Sequence, residues 1–171
     1  REVVKMAERY TGAVGLGHEI LHCWWGNYVL YGETEENWCE GLTTYCANYL
    51  YEEKTKGADA AREYRRHTSE RFSVLVPVGK DYPVRRFVGK VTEIDNEVGY
   101  GKCSMIFHQV RQRLGDEKFF AALRLVIDRH GGKHALWSDF RKAFEETGGG
   151  DLGGFFAQWL ERTGAPVVSR V

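Results

Sequence analysis

Along most of this chain apolar residues recur at three-to-four spacing, and they alternate in only one stretch. That pattern predicts a mainly α protein with one short extended or hairpin segment near 72–90. Residues 2–10 carry Val3, Val4, Met6 and Ala7 among charged neighbours and read as a short helix, loosened by Thr11, Gly12 and Gly15. Residues 14–28 are nearly apolar throughout, the signature of a helix buried on all sides. A polar loop at 31–37 follows. Trp38, Leu42, Tyr45 and Tyr49 then mark a long third helix, and 58–72 a charged amphipathic one that leaves His67 solvated. Val74, Val76 and Val78 alternate, with Pro77, Pro83, Gly79 and Gly89 nearby. Helix resumes from Gly99 to Leu114 and from Asp116 to Arg129. Ser138 and Asp139 offer N-caps for another helix ending before Gly148, and Asp151 opens a last one through Phe155, Phe156, Trp159 and Leu160. Ala165 and Pro166 begin an extended tail.

The 171 residues fit one domain, and 43% hydrophobic with 13% aromatic residues supplies a sizeable core. Lys and Arg total 24 and Asp and Glu total 24, so no net charge draws the chain to nucleic acid or an anionic membrane. Neither partner is expected. No apolar run is long enough for a membrane span. The chain starts at Arg1 without a signal-peptide pattern and reads as a piece of something longer, which leaves its compartment open.

Chemistry concentrates in the stretch from Gly17 to Asn27. His18 and His22 stand at i and i+4, one turn apart on one helix face, where two imidazoles can grip a single metal ion. Glu19 follows the first histidine directly. In this His-Glu-x-x-His spacing the imidazoles hold Zn²⁺ and the glutamate takes a proton from the zinc-bound water. A catalytic zinc takes three protein ligands and keeps one position open. Glu40, in the first turn of the third helix, is the candidate third ligand; its structural alternative is an acid placed there to suit the helix dipole.

The four cysteines, Cys23, Cys39, Cys46 and Cys103, form neither Cys-x-x-Cys pairs nor a disulfide framework. Cys23 and Cys39 adjoin proposed ligands and read as small buried residues beside the site, although a thiolate there could compete for the metal. His108, His130 and His134 lack ligand spacing and read as ordinary core or surface histidines. Gly148 to Gly150 form a loop and not a phosphate cradle, because no Gly-Lys-Ser follows.

The run Gly17-His18-Glu19-Ile20-Leu21-His22-Cys23-Trp24-Trp25-Gly26-Asn27, with Trp38-Cys39-Glu40-Gly41-Leu42, resembles the aminopeptidase N family of zinc peptidases. Val98-Gly99-Tyr100-Gly101-Lys102 is similar to that family's later Tyr-x-Lys segment. The resemblance implies the helical lobe of a thermolysin-like catalytic domain over 1–171, with 166–171 starting a following domain. It implies one zinc held by His18, His22 and Glu40, Glu19 as general base, and Tyr100 as the hydroxyl that stabilises the tetrahedral intermediate. A peptide substrate and the remaining domains of a longer enzyme are the implied partners. Without the resemblance Tyr100 reads equally as an aromatic at a helix start.

Two departures stand out. The connection from His22 to Glu40 is one residue shorter than is usual in the family, and Cys39 stands where an asparagine usually precedes the glutamate. The family's Gly-x-Met-Glu-Asn segment, which holds the substrate's free amino group, is expected upstream of Arg1. The isolated stretch is therefore expected to be weakly active or inactive. Zinc-dependent peptide hydrolysis, of the aminopeptidase type, is the reading. Its rivals are a zinc endopeptidase or another zinc hydrolase, and a zinc-stabilised binding module without turnover.

Overall fold

The computed structural model describes residues 13–32 and 36–166; the helix expected at 2–10 and the tail beyond Pro166 lie outside them. Helix α1 (Ala13–Leu21) ends inside the His-Glu-x-x-His run, well short of Tyr28. The chain stays coiled a little further, with Trp25 N–H donating to the Leu21 carbonyl at 3.0 Å, and then turns at Gly26 with φ +108°. Only glycine adopts that angle cheaply.

The expectation of a helix buried on all sides is corrected. Leu16, Ile20, Trp24 and Tyr28, spaced by four, are about half exposed, whereas Trp25 and Val29 are buried. An apolar composition says how much of a helix can be covered, not which neighbours cover it; this side keeps about half its surface open, and the Tyr28 ring, past the turn, rests on Gly131.

The long third helix forms in three parts: α2 (Cys39–Thr44), a π-helical turn (Tyr45–Tyr49) and α3 (Leu50–Lys56). Its start is fixed by Asn37, whose side-chain oxygen accepts from Cys39 N–H at 3.0 Å while its amide donates to the Val88 carbonyl at 2.7 Å. Helix α4 (Ala58–Leu75) runs three residues past its expected end. The excursion that follows is extended, with a 3₁₀ turn (Val84–Arg86), and makes no hairpin among the described residues. Two prolines and the anchoring of its backbone to residues 36 and 37 leave no partner strand.

Helix then resumes earlier than Gly99. Thr92 and Asp95 cap each other reciprocally at the start of α5 (Glu93–Asp95), which continues through a π-helical stretch (Asn96–Lys102) into α6 (Cys103–Leu114). Helices α7 (Asp116–His130), α8 (Trp137–Phe144) and α9 (Gly153–Glu161) complete the bundle, with a third π turn (Glu145–Gly149) behind α8. Leu136, not Ser138 or Asp139, is the N-cap of α8; Asp139 reaches back to accept from Leu136 N–H at 2.9 Å. Leu152 is the N-cap of the last helix, and Asp151, one residue before it, accepts from Gly153 N–H at 2.8 Å. No helix among the described residues is long and apolar enough to cross a membrane.

The core is aromatic, and it seats the ligand-bearing helices. Trp38, fully buried at the head of α2, packs against Trp25 (6.0 Å between ring centres) and Phe140 (4.6 Å), and its indole N–H donates to the Ala135 carbonyl at 2.7 Å. The turn after α1 and the start of α2 are thus wedged on one cluster. The π stretch is held similarly: a Cβ at Gly99 would come within 2.2 Å of the buried Phe87 ring. Gly99→Ala is expected to destabilise. Alanine gains roughly 0.5–1 kcal/mol of helix propensity, but overpacking against a rigid ring costs about 1–3 kcal/mol, so the steric term wins. Thermal unfolding checks this, and an unchanged or raised Tm would show that Phe87 yields.

Candidate metal centre

His18 sits in the last turn of α1 and His22 just past its end, with ring centres 4.8 Å apart and near perpendicular. Glu40, in the first turn of α2, reaches both: its Oε2 lies 3.3 Å from His18 Nε2 and 3.4 Å from His22 Nε2. The shorter connection has therefore not moved Glu40 out of register. These are the three residues among those described whose donor atoms could share one ion, all lying within 4.8 Å of one another.

The donor set fits zinc. Tetrahedral ligands at about 2.05 Å from the metal stand roughly 3.3 Å apart, which is the spacing of both imidazole–carboxylate pairs. His22 is oriented for that use, because its Nδ1 lies 2.9 Å from the Trp25 carbonyl oxygen and donates to it, which turns Nε2 toward Glu40 and leaves that nitrogen to bind a metal once its own proton is displaced. Electrostatics agree. Burial disfavours the Glu40 carboxylate, but hydrogen bonds and charge from both histidines outweigh it and hold its pKa near about 2. The His22 imidazole is pushed up to about 11, by its contacts with Cys39 and then Glu40. Such a proton, shared between imidazole and carboxylate, is what a divalent cation displaces on binding.

Around the trio opens a cavity of about 860 Å³. Glu19, exposed on α1, lines it beside His18, and so does Tyr100 from the π stretch. The Tyr100 ring stacks near His18 at 6.1 Å and meets Phe87 edge-on at 6.2 Å. Burial, followed by the charge and hydrogen bond of Glu40, pushes its phenol up, so the hydroxyl stays protonated and can donate.

The structure thus brings all five expected residues to one cavity. Lys102 is different: it is fully buried, donates to the Arg162 carbonyl at 2.8 Å and stands 5.4 Å over the Phe72 ring, which ties the chain's end to α4. Cys23 is exposed rather than buried, and Cys39 is buried as expected. His108 is a core histidine, held down to about 4 by burial and then by Arg65 and Arg111.

Sequence reading missed the far wall. Glu63, His67 and Arg71 line it from α4, and the nearly buried Glu97 pairs with Arg71 at 2.5 Å. The signal was present, since 63, 67 and 71 repeat at i, i+4, i+8, and Glu97 stands three residues before Tyr100 on the same helical face.

Comparison with known proteins places the chain in a family. The model of the Peptidase family M1 domain matches residues 4–159. Aminopeptidase N of Lactococcus lactis subsp. lactis is 27% identical over 95% of this chain and 20% of its own length. Tricorn protease-interacting factor F2 of Thermoplasma acidophilum is 25% identical over the whole chain and 23% of its own length. The chain therefore spans about a fifth of the curated relatives it matches. Among solved structures, a variant of a two-domain M1 zinc metallopeptidase bound to L-arginine superposes with a TM-score of 0.74 at 20% identity, covering 92% of this chain and 34% of that one. An M1 zinc metallopeptidase variant from Deinococcus radiodurans, bound to a Tyr-Ser-Ala substrate, gives 0.69 over 93% and 34%. At such identities the superpositions speak for the fold, and the family match over most of the sequence speaks for descent: the chain belongs to the M1 family of metallopeptidases.

Proposed function

We propose that this chain carries the zinc-binding lobe of an aminopeptidase, with one zinc on His18, His22 and Glu40. The observation that carries the reading is the spacing of Glu40 from both imidazoles, 3.3 and 3.4 Å, matched to tetrahedral zinc with Glu19 and Tyr100 on the same cavity. When bound, zinc supplies a Lewis acid and a water whose pKa is lowered towards about 7.

The chain's own residues supply the rest. Glu19 takes a proton from the attacking water and delivers it to the leaving amine nitrogen. Its open position on the cavity wall suits a group that must reach both. Tyr100 donates its hydroxyl to the scissile carbonyl oxygen as negative charge gathers there, a bond stronger in the transition state than in the ground state. His22, tied through Nδ1 to the Trp25 carbonyl, keeps the metal seat from rotating.

On the resemblance, substrate amine recognition is assigned to a segment outside this stretch. The polar loop at 31–37 carries Glu33, Glu35 and Glu36, and of these Glu36 is spoken for by Arg85 and by the Trp137 backbone N–H. Glu2, Glu8, Glu33 and Glu35 lie outside the described residues. The test uses the full-length protein that contains this chain, offered an aminoacyl amide and its N-acetylated counterpart. Cleavage of the free amine alone is expected; cleavage of the blocked substrate at a similar kcat/KM would identify an endopeptidase. In the same assay Tyr100→Phe is expected to lower kcat by on the order of 10² with little change in KM, as for other lost oxyanion donors. Full activity would reduce Tyr100 to a packing residue.

A further inference from the structure

Cys39 precedes Glu40 on α2 and is 1% exposed, with its sulfur turned toward the other ligand helix. Its Sγ lies 3.0 Å from the Trp25 carbonyl oxygen and 3.4 Å from His22 Nδ1, while Nδ1 itself lies 2.9 Å from that same oxygen. A carbonyl oxygen has two lone pairs, so it accepts both the imidazole N–H and the thiol S–H. The turn after α1 is shaped around the sulfur: Gly26, at φ +108°, would with any side chain place a Cβ only 2.9 Å from it. Cysteine thus fills the gap between the turn after α1, which holds His22, and the helix that carries the carboxylate.

We propose that Cys39 is a positioning residue for the zinc centre, fixing the His22 ring through the shared Trp25 carbonyl so that Nε2 is delivered to the metal. The inference rests on the zinc reading above. Three features favour positioning over ligation. The sulfur meets the Nδ1 edge of the ring, whereas Glu40 meets the Nε2 edge. Its own hydrogen atom is engaged by a backbone oxygen. The donor group able to share an ion also forms from His18, His22 and Glu40 without it. A metal-bound histidine needs its second nitrogen held, and loss of such a partner costs 10–100-fold in metal affinity in other proteins. The Trp25 carbonyl holds Nδ1 by one hydrogen bond, and the Cys39 sulfur, 3.4 Å from the same nitrogen, packs beside it as a second restraint on the ring.

The experiment compares Cys39→Ala and Cys39→Ser with the parent, each in the full-length protein that contains this chain. Zinc affinity is read by competition with a chromophoric chelator, and the geometry of the site by the visible spectrum of the Co²⁺-substituted form. Cys39→Ala is expected to weaken zinc by about 10-fold or more and to shift the Co²⁺ bands. Serine keeps a donor for the Trp25 carbonyl, so Cys39→Ser is expected to stay within about threefold of the parent with an unshifted spectrum. Unchanged affinity in Cys39→Ala, or equal losses in both variants, overturns the proposal and leaves Cys39 a packing residue. If the alanine variant does not fold, the serine variant decides, a loss beyond about 10-fold overturning the proposal and near-parent affinity supporting it. Failure of the parent itself to bind one zinc overturns the zinc reading as well, which separates the two.

Discussion

Glu19→Gln is expected to abolish useful turnover while leaving the zinc content of the full-length protein nearly unchanged. The substitution keeps the size and polarity of an exposed side chain on the cavity wall, so the fold should change by no more than about 0.5 kcal/mol. It removes the proton acceptor. General-base catalysis contributes on the order of 10²–10⁴ in rate, so kcat should fall by that factor, equivalent to about 3–5 kcal/mol of barrier. Metal analysis beside steady-state kinetics checks both halves. Loss of zinc together with activity would make Glu19 a ligand or a support for one, and retained activity would return the proton transfer to another group.

Glu40→Ala is expected to act in the opposite order, on metal first and on rate as a consequence. Its carboxylate supplies the single negative charge in the trio and contacts both imidazoles. Four-ligand structural zinc sites bind with roughly 10–16 kcal/mol, so one ligand is worth on the order of 3 kcal/mol and its loss about 10² in affinity. Removing it also leaves two imidazoles facing one another without the anion that both hold. Chelator competition measures the effect. Affinity within a few-fold of the parent would mean that another group supplies the third bond.

The grouping of His18, His22 and Glu40 was legible because its signal is local: two histidines one turn apart, and an acid in the first turn of the next helix. Periodicity also marked α6 and α7, whose buried residues Ile106, Phe107, Val110 and Phe119, Leu123, Val126 fall on the expected faces. What it could not show depends on neighbours distant in sequence. The outer stripe of α1 reads as core in an apolar segment, and only the packed structure reveals which side α2 covers. The π turns at 45–49 and 96–102 add a residue to the helical repeat without any compositional mark, yet the second of them aims Tyr100. The Arg71–Glu97 pair joins positions twenty-six apart, and the sequence, which placed Cys39 as a small buried residue beside the site, carried no sign of its contact with His22.

The central claim is that one zinc is bound by two imidazoles and a carboxylate. Zinc K-edge X-ray absorption on the full-length protein loaded with one equivalent of metal tests it most directly. A first shell of nitrogen and oxygen alone at about 2.0–2.2 Å is the expected result. A sulfur scatterer at about 2.3 Å would place Cys39 or Cys23 on the metal and contradict the assignment of Glu40.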